Sequence, residues 1–357
     1  MKNQALDVLI IGAAQAGLAM AYAIKDSGLH FELVESHRRI GDVWRNRYDS
    51  LMLFTPRSLS SLPGLALDGD PDGYAGKDEF AEYLERYACR FRLPVRLCTG
   101  IKSLSHSDSG FRAVTIQGEI IEARAVILAT GGFQIPLVPA VMNQFSPDIL
   151  QLTAETYKHP SQIAAGKTVL VVGDGASGRD FASELCTDHN VYLATGKKRK
   201  LLPEKILGRS SLYWLNKVGA LQAPVSTPVG WYLKKTDGFP DRGQGLDKLR
   251  RKGIRIMPRL QKAEGRQAIF SDGSSVEVDA MIWSIGYRDN SEWVSIPEIK
   301  DERGNFVHEQ GLSPVKGLFF IGRPWQRSRG SAFIGGVGVD AEFIAEHVIR
   351  YVRRNAA

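Results

Sequence analysis

One short pattern, written twice, constrains this chain more than any other feature. The first copy is DVLIIGAAQAG, Asp7 to Gly17; the second is KTVLVVGDGASG, Lys167 to Gly178. Each is an apolar run that opens onto a glycine turn and then a helix-like stretch. A strand, a phosphate-cradling loop and a helix N-terminus read this way in sequence. One copy points to a dinucleotide enzyme. Two copies point to two dinucleotides held face to face, which is what moving electrons from a nicotinamide to a flavin requires. The expected fold is α/β, with two Rossmann-like dinucleotide-binding domains, the NADPH domain inserted into the FAD domain.

The first loop is Gly12-Ala13-Ala14-Gln15-Ala16-Gly17. Its first glycine makes the tight turn, and its last lets helix and strand pack closely. Ala14 stands where a glycine would normally let the backbone approach a pyrophosphate; one methyl group narrows that approach without closing it. Glu35, with Ser36 beside it, ends the next apolar run and is placed to bind a ribose hydroxyl. Because this unit comes first and pairs with a second, it is assigned to FAD. The second loop, Gly173-Asp174-Gly175-Ala176-Ser177-Gly178, has all three glycines. No acid ends its following strand; the chain reads Thr195-Gly196-Lys197-Lys198-Arg199-Lys200. An acid would repel a 2′-phosphate and cations would hold it, so NADPH is expected rather than NADH. Arg179, at the start of the helix, is a second phosphate candidate.

Length and punctuation suggest how the two units are joined. The 357 residues suffice for two domains. A proline-marked stretch, Ile135 to Pro139, reads as a hinge, and the chain is expected to cross back at Gly286-Tyr287. The expected division is an FAD-binding domain of residues 1–140 and 287–357, and an NADPH-binding domain of residues 141–286. Asp78 to Phe91 is an amphipathic helix with Phe80, Leu84, Tyr87 and Phe91 on one face. Ser271 to Ser274 is a hairpin turn, Leu318 to Ile321 a buried strand and Val337 to Val352 a closing helix.

Other function classes are disfavoured. Cys89, Cys98 and Cys186 have neither metal nor CxxC spacing, and the histidines show no ligand spacing. That disfavours a disulfide scaffold, a zinc site and a dithiol centre, and fits a reducing, cytoplasmic setting. The net charge of +7 is largely local, as in KKRK at Lys197 to Lys200, and no nucleic-acid module accompanies it. No stretch reaches the ~18–20 apolar residues of a membrane span. Val8 to Ile24 is uncharged and Ala21-Tyr22-Ala23 mimics a signal cleavage site, but Asp7 opens the run and Glu35 completes the fingerprint, so it is not read as a leader. Oligomeric state is not written in the sequence, and a homodimer is compatible with it.

A more specific likeness lies in the loops. Gly41-Asp42-Val43-Trp44, Tyr48 to Pro56, Leu62-Pro63-Gly64, Ala129-Thr130-Gly131, Leu202-Pro203-Glu204, Leu207-Gly208-Arg209, Gly286-Tyr287 and Gly322 to Gln326 carry it, with Gly330-Ser331 and Gly335-Gly336. Through them the chain resembles the flavin-containing monooxygenase superfamily, especially its short bacterial members and the plant auxin-forming flavin monooxygenases. The resemblance implies that NADPH reduces FAD and that dioxygen adds at flavin C4a as a (hydro)peroxide. That species would oxygenate a small organic substrate, a soft nitrogen or sulfur nucleophile or a carbonyl (class B chemistry). No side-chain base is obligatory, so no catalytic residue is assigned. Thr130, Gly131, Gly286 and Gly322 are carried over as cofactor contacts. Trp44 stands evenly between a flavin contact and core packing.

The chain also departs from the family pattern. The asparagine often found near the flavin face is matched by Phe54, next to Thr55; these two are the flavin-face or substrate candidates. The motif histidine four residues before Tyr157 is Thr153, and His159 is out of register. These departures keep an alternative in play, an NADPH oxidase or flavin-dependent reductase on the same fold. Arg45, Arg47 and Arg57 are expected at the surface, and Trp214, Trp231 and Tyr232 are expected to fill core rather than line a pocket.

Overall fold

The computed structural model describes residues 5–108, 110–199 and 201–355. Strand β1 (Leu6–Ile11) leads through α1 (Gln15–Ile24) into β2 (Phe31–Val34). A short helix α2 (Asp42–Arg45) and the amphipathic α3 (Lys77–Arg90) follow, then β3 (Val95–Arg96), β4 (Ile101–Ser107), β5 (Gly110–Thr115) and β6 (Ile120–Leu128). They form one sheet in the order β3-β2-β1-β6-β5-β4. Near the C-terminus β21 (Leu318–Phe320) returns to it. Strand β6 is the fork: its first half pairs antiparallel with β5, and Val126 to Leu128 pair parallel with β21. A parallel sheet buries both faces, which is why β1 is apolar without alternation from Val8 to Ile11. Val8 and Ile10 face a core shared with α1, α3 and the last helix, α8 (Val337–Arg354); Leu9 and Ile11 face a second core.

The chain leaves this sheet through β7 (Ile135–Pro136) and builds a second, wholly parallel sheet. Its strands are β8 (Leu150–Thr153), β9 (Thr168–Val172), β10 (Asn190–Ala194), β15 (Arg255–Met257) and β19 (Ala280–Trp283), in the order β15-β10-β9-β19-β8. Helix α4 (Ala176–Leu185) follows β9 as α1 follows β1. Again both faces are buried, Val169 and Val171 on one side, Leu170 and Val172 on the other. Each buried Val or Leu contributes roughly 1.5–3 kcal/mol. The fold is thus two Rossmann-like units, the second formed by chain lying between β6 and β21. The two crossing segments pair antiparallel, β7 with β20 (Tyr287–Arg288).

Between β10 and β15 lies an irregular layer. It holds β11 (Leu201–Leu202), the β12 (Lys205–Ile206) and β13 (Arg209–Ser210) hairpin, α5 (Ser211–Lys217), α6 (Pro228–Thr236), β14 (Phe239–Pro240) and α7 (Leu246–Arg251). A three-stranded antiparallel sheet, β16 (Leu260–Glu264), β17 (Gln267–Phe270) and β18 (Ser275–Glu277), precedes β19; the Ser271 to Ser274 turn joins its last two strands. Among the described residues no helix is long and apolar enough to cross a membrane.

Candidate functional site

Sterics dictate the glycines of both loops. Gly12 ends β1 at φ +105°, and a Cβ there would lie 2.8 Å from the Ala129 carbonyl oxygen. A Cβ on Gly17 would lie 1.9 Å from the Gly12 oxygen, so helix and turn touch. The second loop repeats this: Gly173 is at φ +108°, with a Cβ 2.3 Å from the Ser284 oxygen, and Gly178 would meet the Gly173 oxygen at 1.9 Å. The middle position is different. Gly175 is extended, and its Cβ would meet nothing within 4 Å. Ala14 has nearly the same backbone, φ −80° and ψ −168°, so its methyl is unstrained. From the return strand, Gly322 (φ +78°) comes down on the start of α1, where its Cβ would lie 2.6 Å from that of Ala16.

Neither α1 nor α4 has a side-chain cap or an acid in its first turn, whereas α3 carries Asp78 and Glu79 there. The first N–H groups of α1 and α4, including those near Gln15 and Ser177, are therefore left for an anion, with the helix dipole in its favour.

Glu35 stands over the first loop. Its carboxylate accepts from the Ala13 N–H (2.9 Å), the His37 N–H (3.1 Å), His37 Nδ1 (2.6 Å) and Ser36 Oγ (3.2 Å). Burial pushes its pKa up, but the His37 bond and the two backbone N–H bonds outweigh burial and hold it below the ordinary glutamate value. The bond to Glu35 raises the pKa of His37 in turn, against its own burial. Sequence spacing gave His37 no role, because a carboxylate partner two residues away leaves no ligand signature.

The Thr130-Gly131 turn after β6 is tied to the segment beyond β20. Gln134 Nε2 donates to Thr130 Oγ1 (2.9 Å) and to the Gly131 oxygen (2.7 Å), and Arg323 Nη1 also reaches that oxygen (2.9 Å). Arg323 Nη2 pairs with the buried Asp289 at 2.6 Å. Gly286, at φ +107°, accepts from the Leu137 N–H and joins the two crossing segments.

Trp44 is half-buried at the rim of the core; its Nε1 donates to Gln15 Oε1 (3.1 Å) and its ring meets Phe80 edge-on. Phe54 packs on Phe333 in an apolar cluster with Leu202, Leu212 and Leu221. Thr55 is buried, with Oγ1 2.7 Å from Ser60 Oγ, so its hydroxyl is already engaged.

At the end of β10, Lys197, Lys198 and Arg199 are exposed; Lys200 lies outside the described residues. Arg199 Nε is 3.6 Å from Asp174, which sets that cation beside the glycine loop. Arg179 corrects the expectation of a phosphate contact. It is buried, its Nε donating to the Asp174 oxygen (2.9 Å), Nη2 to Asp174 Oδ2 (3.1 Å) and Nη1 to the Gln244 oxygen (2.7 Å). Its guanidinium braces the loop from inside.

Two further expectations need correcting, and Thr153 finds a structural role. Arg57 and Arg45 are not free surface cations: Arg57 forks onto Glu79, and Arg45 pairs with Asp42 and Glu85. Trp231 and Tyr232 are not core, since both are exposed. Thr153, in the histidine position, ends β8 as a turn residue, its Oγ1 accepting from the N–H groups of Glu155 and Thr156.

A contact between the two units was not read from sequence. Tyr48 leaves the segment after α2 and is buried in the core of the second sheet, its ring 4.8 Å from Phe181. Its hydroxyl donates to Asp180 Oδ2 (2.7 Å). Arg242 Nη2 grips the same carboxylate at 2.5 and 2.7 Å, while its Nη1 reaches the Met52 oxygen. Nearby, Ser50 donates to Glu184 and the Asp49 N–H to the Lys158 oxygen. From the other side, buried Lys77 holds the Arg45 and Arg47 carbonyls. Tyr48 thus anchors a loop of the first unit to α4, the helix that starts at the second glycine loop.

Comparison with known proteins agrees with this architecture. Residues 9–205 match the family described as pyridine nucleotide-disulphide oxidoreductase. The CzcO-like oxidoreductase of Geobacillus kaustophilus, itself uncharacterized, is 45% identical over 97% of this chain and 99% of its own length. Indole-3-pyruvate monooxygenase YUCCA6 of Arabidopsis thaliana is 28% identical over 95% of this chain and 89% of its own. Among solved structures, a flavin-containing monooxygenase from Stenotrophomonas maltophilia superposes with a TM-score of 0.81 at 24% identity, covering 99% of this chain and all of that one.

Proposed function

Because this chain belongs to the pyridine nucleotide-disulphide oxidoreductase family and the flavin-containing monooxygenase superfamily, and is a flavin-dependent oxidoreductase, we propose that it uses FAD and NADPH to place one oxygen atom of dioxygen on a small organic substrate. The observation that carries this is the contrast between two otherwise equivalent loops. Both leave an uncapped, acid-free helix N-terminus, but an ionised carboxylate stands over the first and a run of cations over the second. A carboxylate suits a ribose diol, and cations suit a 2′-phosphate.

On this reading the FAD-binding domain comprises residues 1–140 and 287–357 and the NADPH-binding domain residues 141–286. Gly12, Ala14, Gln15, Ala16 and Gly17 receive the FAD pyrophosphate, with Gly322 closing over α1. Glu35 and Ser36 take the ribose, while Trp44, Thr130 and Gly131 border the flavin side. Gly173, Gly175, Ser177 and Gly178 receive the NADPH pyrophosphate, and Lys197, Lys198 and Arg199 its 2′-phosphate; Gly286 holds the crossing beside them. Arg179 supports that loop without touching the ligand.

When bound, the flavin supplies the redox chemistry, accepting hydride from the nicotinamide and activating dioxygen. The chain's own task is placement and exclusion of water. Tyr48 and Asp180 fix one loop against the other, and the Phe54–Phe333 cluster lays an apolar wall beside the segment assigned to the flavin face. The three cysteines are unpaired, which suits a reducing cytoplasm, and none lies in a glycine loop. The substrate is a nitrogen or sulfur nucleophile or a carbonyl compound.

One observation favours a second reading. Phe54 offers no hydrogen bond at the flavin face and Thr153 is spent in a turn, so oxygen transfer could give way to an uncoupled NADPH oxidase. The test is turnover under isotopically labelled dioxygen with amines, sulfides, ketones and indolic 2-oxo acids. Label in a product, with product formed in proportion to NADPH consumed, is expected for at least one class. Hydrogen peroxide accounting for all NADPH with every class would refute the monooxygenase reading.

A further inference from the structure

The layer between β10 and β15 exposes what most of the surface hides. Ile206, Leu207, Val218, Val229, Trp231 and Tyr232 are all exposed, Leu207 by 87% and Trp231 by 57%. Helix α6 explains part of this. Its one buried residue is Gly230, whose Cβ would lie 2.0 Å from the Pro224 oxygen. The helix therefore rests on Pro224 through glycine and turns Pro228, Trp231, Tyr232 and Lys235 outward. Those positions, i, i+3, i+4 and i+7, are the stripe that a surface helix normally buries. At the tip of the β12–β13 hairpin, Leu207 and Gly208 are both left-handed, at φ +49° and +80°. Such turns favour Asn, Asp or Gly, so a leucine held there and almost fully exposed is a costly choice. The hairpin, α5, the 220–222 turn and α6 form one continuous layer: Trp214 Nε1 donates to the Ile206 oxygen, and both helices pack on that turn.

The charge on this layer is mostly positive. Residues 204–237 contain Lys205, Arg209, Lys217, Lys234 and Lys235 but only Glu204 and Asp237 as acids, and Asp237 is taken by Arg329 at 3.3 Å. Lys235 lies over the Trp231 ring at 4.8 Å and Lys217 over Trp214 at 5.7 Å. Tryptophan, tyrosine and leucine projecting among lysines match the chemistry of a bilayer interface: the rings and the aliphatic tip sit at the headgroup level while lysines meet lipid phosphates. A second copy of this chain fits less well, because a two-fold contact across α6 would set lysines against lysines.

We infer that the 205–235 layer docks this protein reversibly on an anionic phospholipid surface, with Leu207 and Trp231 as the inserted side chains and the lysines as the electrostatic part. Leu212 and Leu221 of the same layer belong to the cluster that Phe54 packs against, so docking brings the membrane close to the segment assigned to the flavin face. The docking surface itself stands independently of that assignment.

The test is co-sedimentation of the full, FAD-loaded chain with vesicles of phosphatidylglycerol and phosphatidylcholine, against pure phosphatidylcholine. Binding is expected on the anionic vesicles alone and is expected to weaken with salt. Leu207→Glu with Trp231→Glu should abolish it, with FAD content and the circular dichroism spectrum unchanged. Lys234→Ala with Lys235→Ala should weaken partition roughly 30-fold. Arg250→Ser with Arg251→Ser, on exposed α7, is the control for unspecific charge and should weaken it far less. Failure to bind anionic vesicles at low salt, binding that survives the double glutamate variant, or equal loss in the α7 control would overturn the proposal. So would a dimer in sedimentation analysis that the glutamate variant dissociates, or saturable capture by an acidic protein in place of vesicles.

Discussion

Tyr48→Phe should weaken the joint between the two units while leaving both nucleotide loops intact. The ring remains, so its packing on Phe181, in the core that also holds Tyr157, is retained. What is lost is one hydrogen bond of 2.7 Å to the Asp180 carboxylate. A bond to a charged acceptor contributes roughly 1.5–3 kcal/mol. Arg242 still holds both Asp180 oxygens, so no buried charge is left unpaired, and about 1.5 kcal/mol is expected. Tyr48→Ala also removes a ring that is 2% exposed and should cost roughly 3–5 kcal/mol. Urea unfolding of the two variants measures both values. The kinetic consequence is more discriminating. Tyr48 touches neither glycine loop, so NADPH should bind Tyr48→Phe within about twofold of its normal affinity, the bond-sized change being absorbed at the joint. Hydride transfer depends on how the loops face one another, and misplacement by ~1 Å can cost about 100-fold. Flavin reduction followed by stopped flow should therefore slow by about tenfold at saturating NADPH. A variant that loses less than about 0.5 kcal/mol, or loses NADPH affinity as much as reduction rate, would refute the joint.

Other outcomes follow from the same geometry. Lys197, Lys198 and Arg199 changed together to Ser should raise the KM for NADPH by about 100-fold and that for NADH hardly at all, at roughly 1.5–3 kcal/mol for a charge-assisted phosphate contact; steady-state kinetics with both nucleotides decide it. Gly178→Ala should prevent the second unit from folding as it does, because its Cβ would lie 1.9 Å from the Gly173 oxygen, whereas Gly175→Ala should keep the native unfolding midpoint and lose only NADPH affinity in titration. The Glu35–His37 pair has a pH signature in the apoprotein. Glu35 has a lowered pKa, so its contribution is present above its unfolded value of 4.5 and is lost as pH falls through the folded one; His37 has a raised pKa, so its contribution is full below 6.5 and is lost as pH rises through the folded one. The stability gap between the native chain and His37→Ala should therefore be wider at about pH 5.5 than at about pH 8.5, and a gap in urea midpoint that is the same at both pH values would contradict it.

What could be read ahead of the structure was local. Gly12, Gly17, Gly173 and Gly178 are legible because each conflict lies within a few residues or across one strand, and no other side chain fits. Glu35 is legible because a strand end fixes where it points. The return of the chain to the first sheet was legible from Leu318 to Ile321, since a buried parallel strand needs an apolar run and a neighbour. The Tyr48 anchor was not, because it joins residues 132 positions apart through side chains alone. Arg179 was misread for the same reason: its third partner is the carbonyl of Gln244, 65 residues on, and no local pattern announces that a cation at a helix start will be buried.

Trp231 and Tyr232 fail in the opposite direction, and the reason bears on function. Residue type argues for core, and most apolar aromatics do bury. Burial, however, needs a face to bury against, and the one fully buried residue of α6 is Gly230, with Leu233 and Thr236 only partly covered. A glycine on the inner face and aromatics on the outer face invert the usual helix pattern, and a sequence under selection for solubility alone would not keep that inversion. The same logic separates Arg179 from Arg199. Both lie near Asp174, but one is enclosed and the other remains at the surface, 39% exposed and 3.6 Å from the acid. An enclosed cation is already spent on the fold, whereas an exposed one beside an uncapped helix start is available to a ligand. On that ground the proposed function gives the second loop's choice between NADPH and NADH to Lys197, Lys198 and Arg199, while the buried Arg179 holds the Asp174 carbonyl and carboxylate.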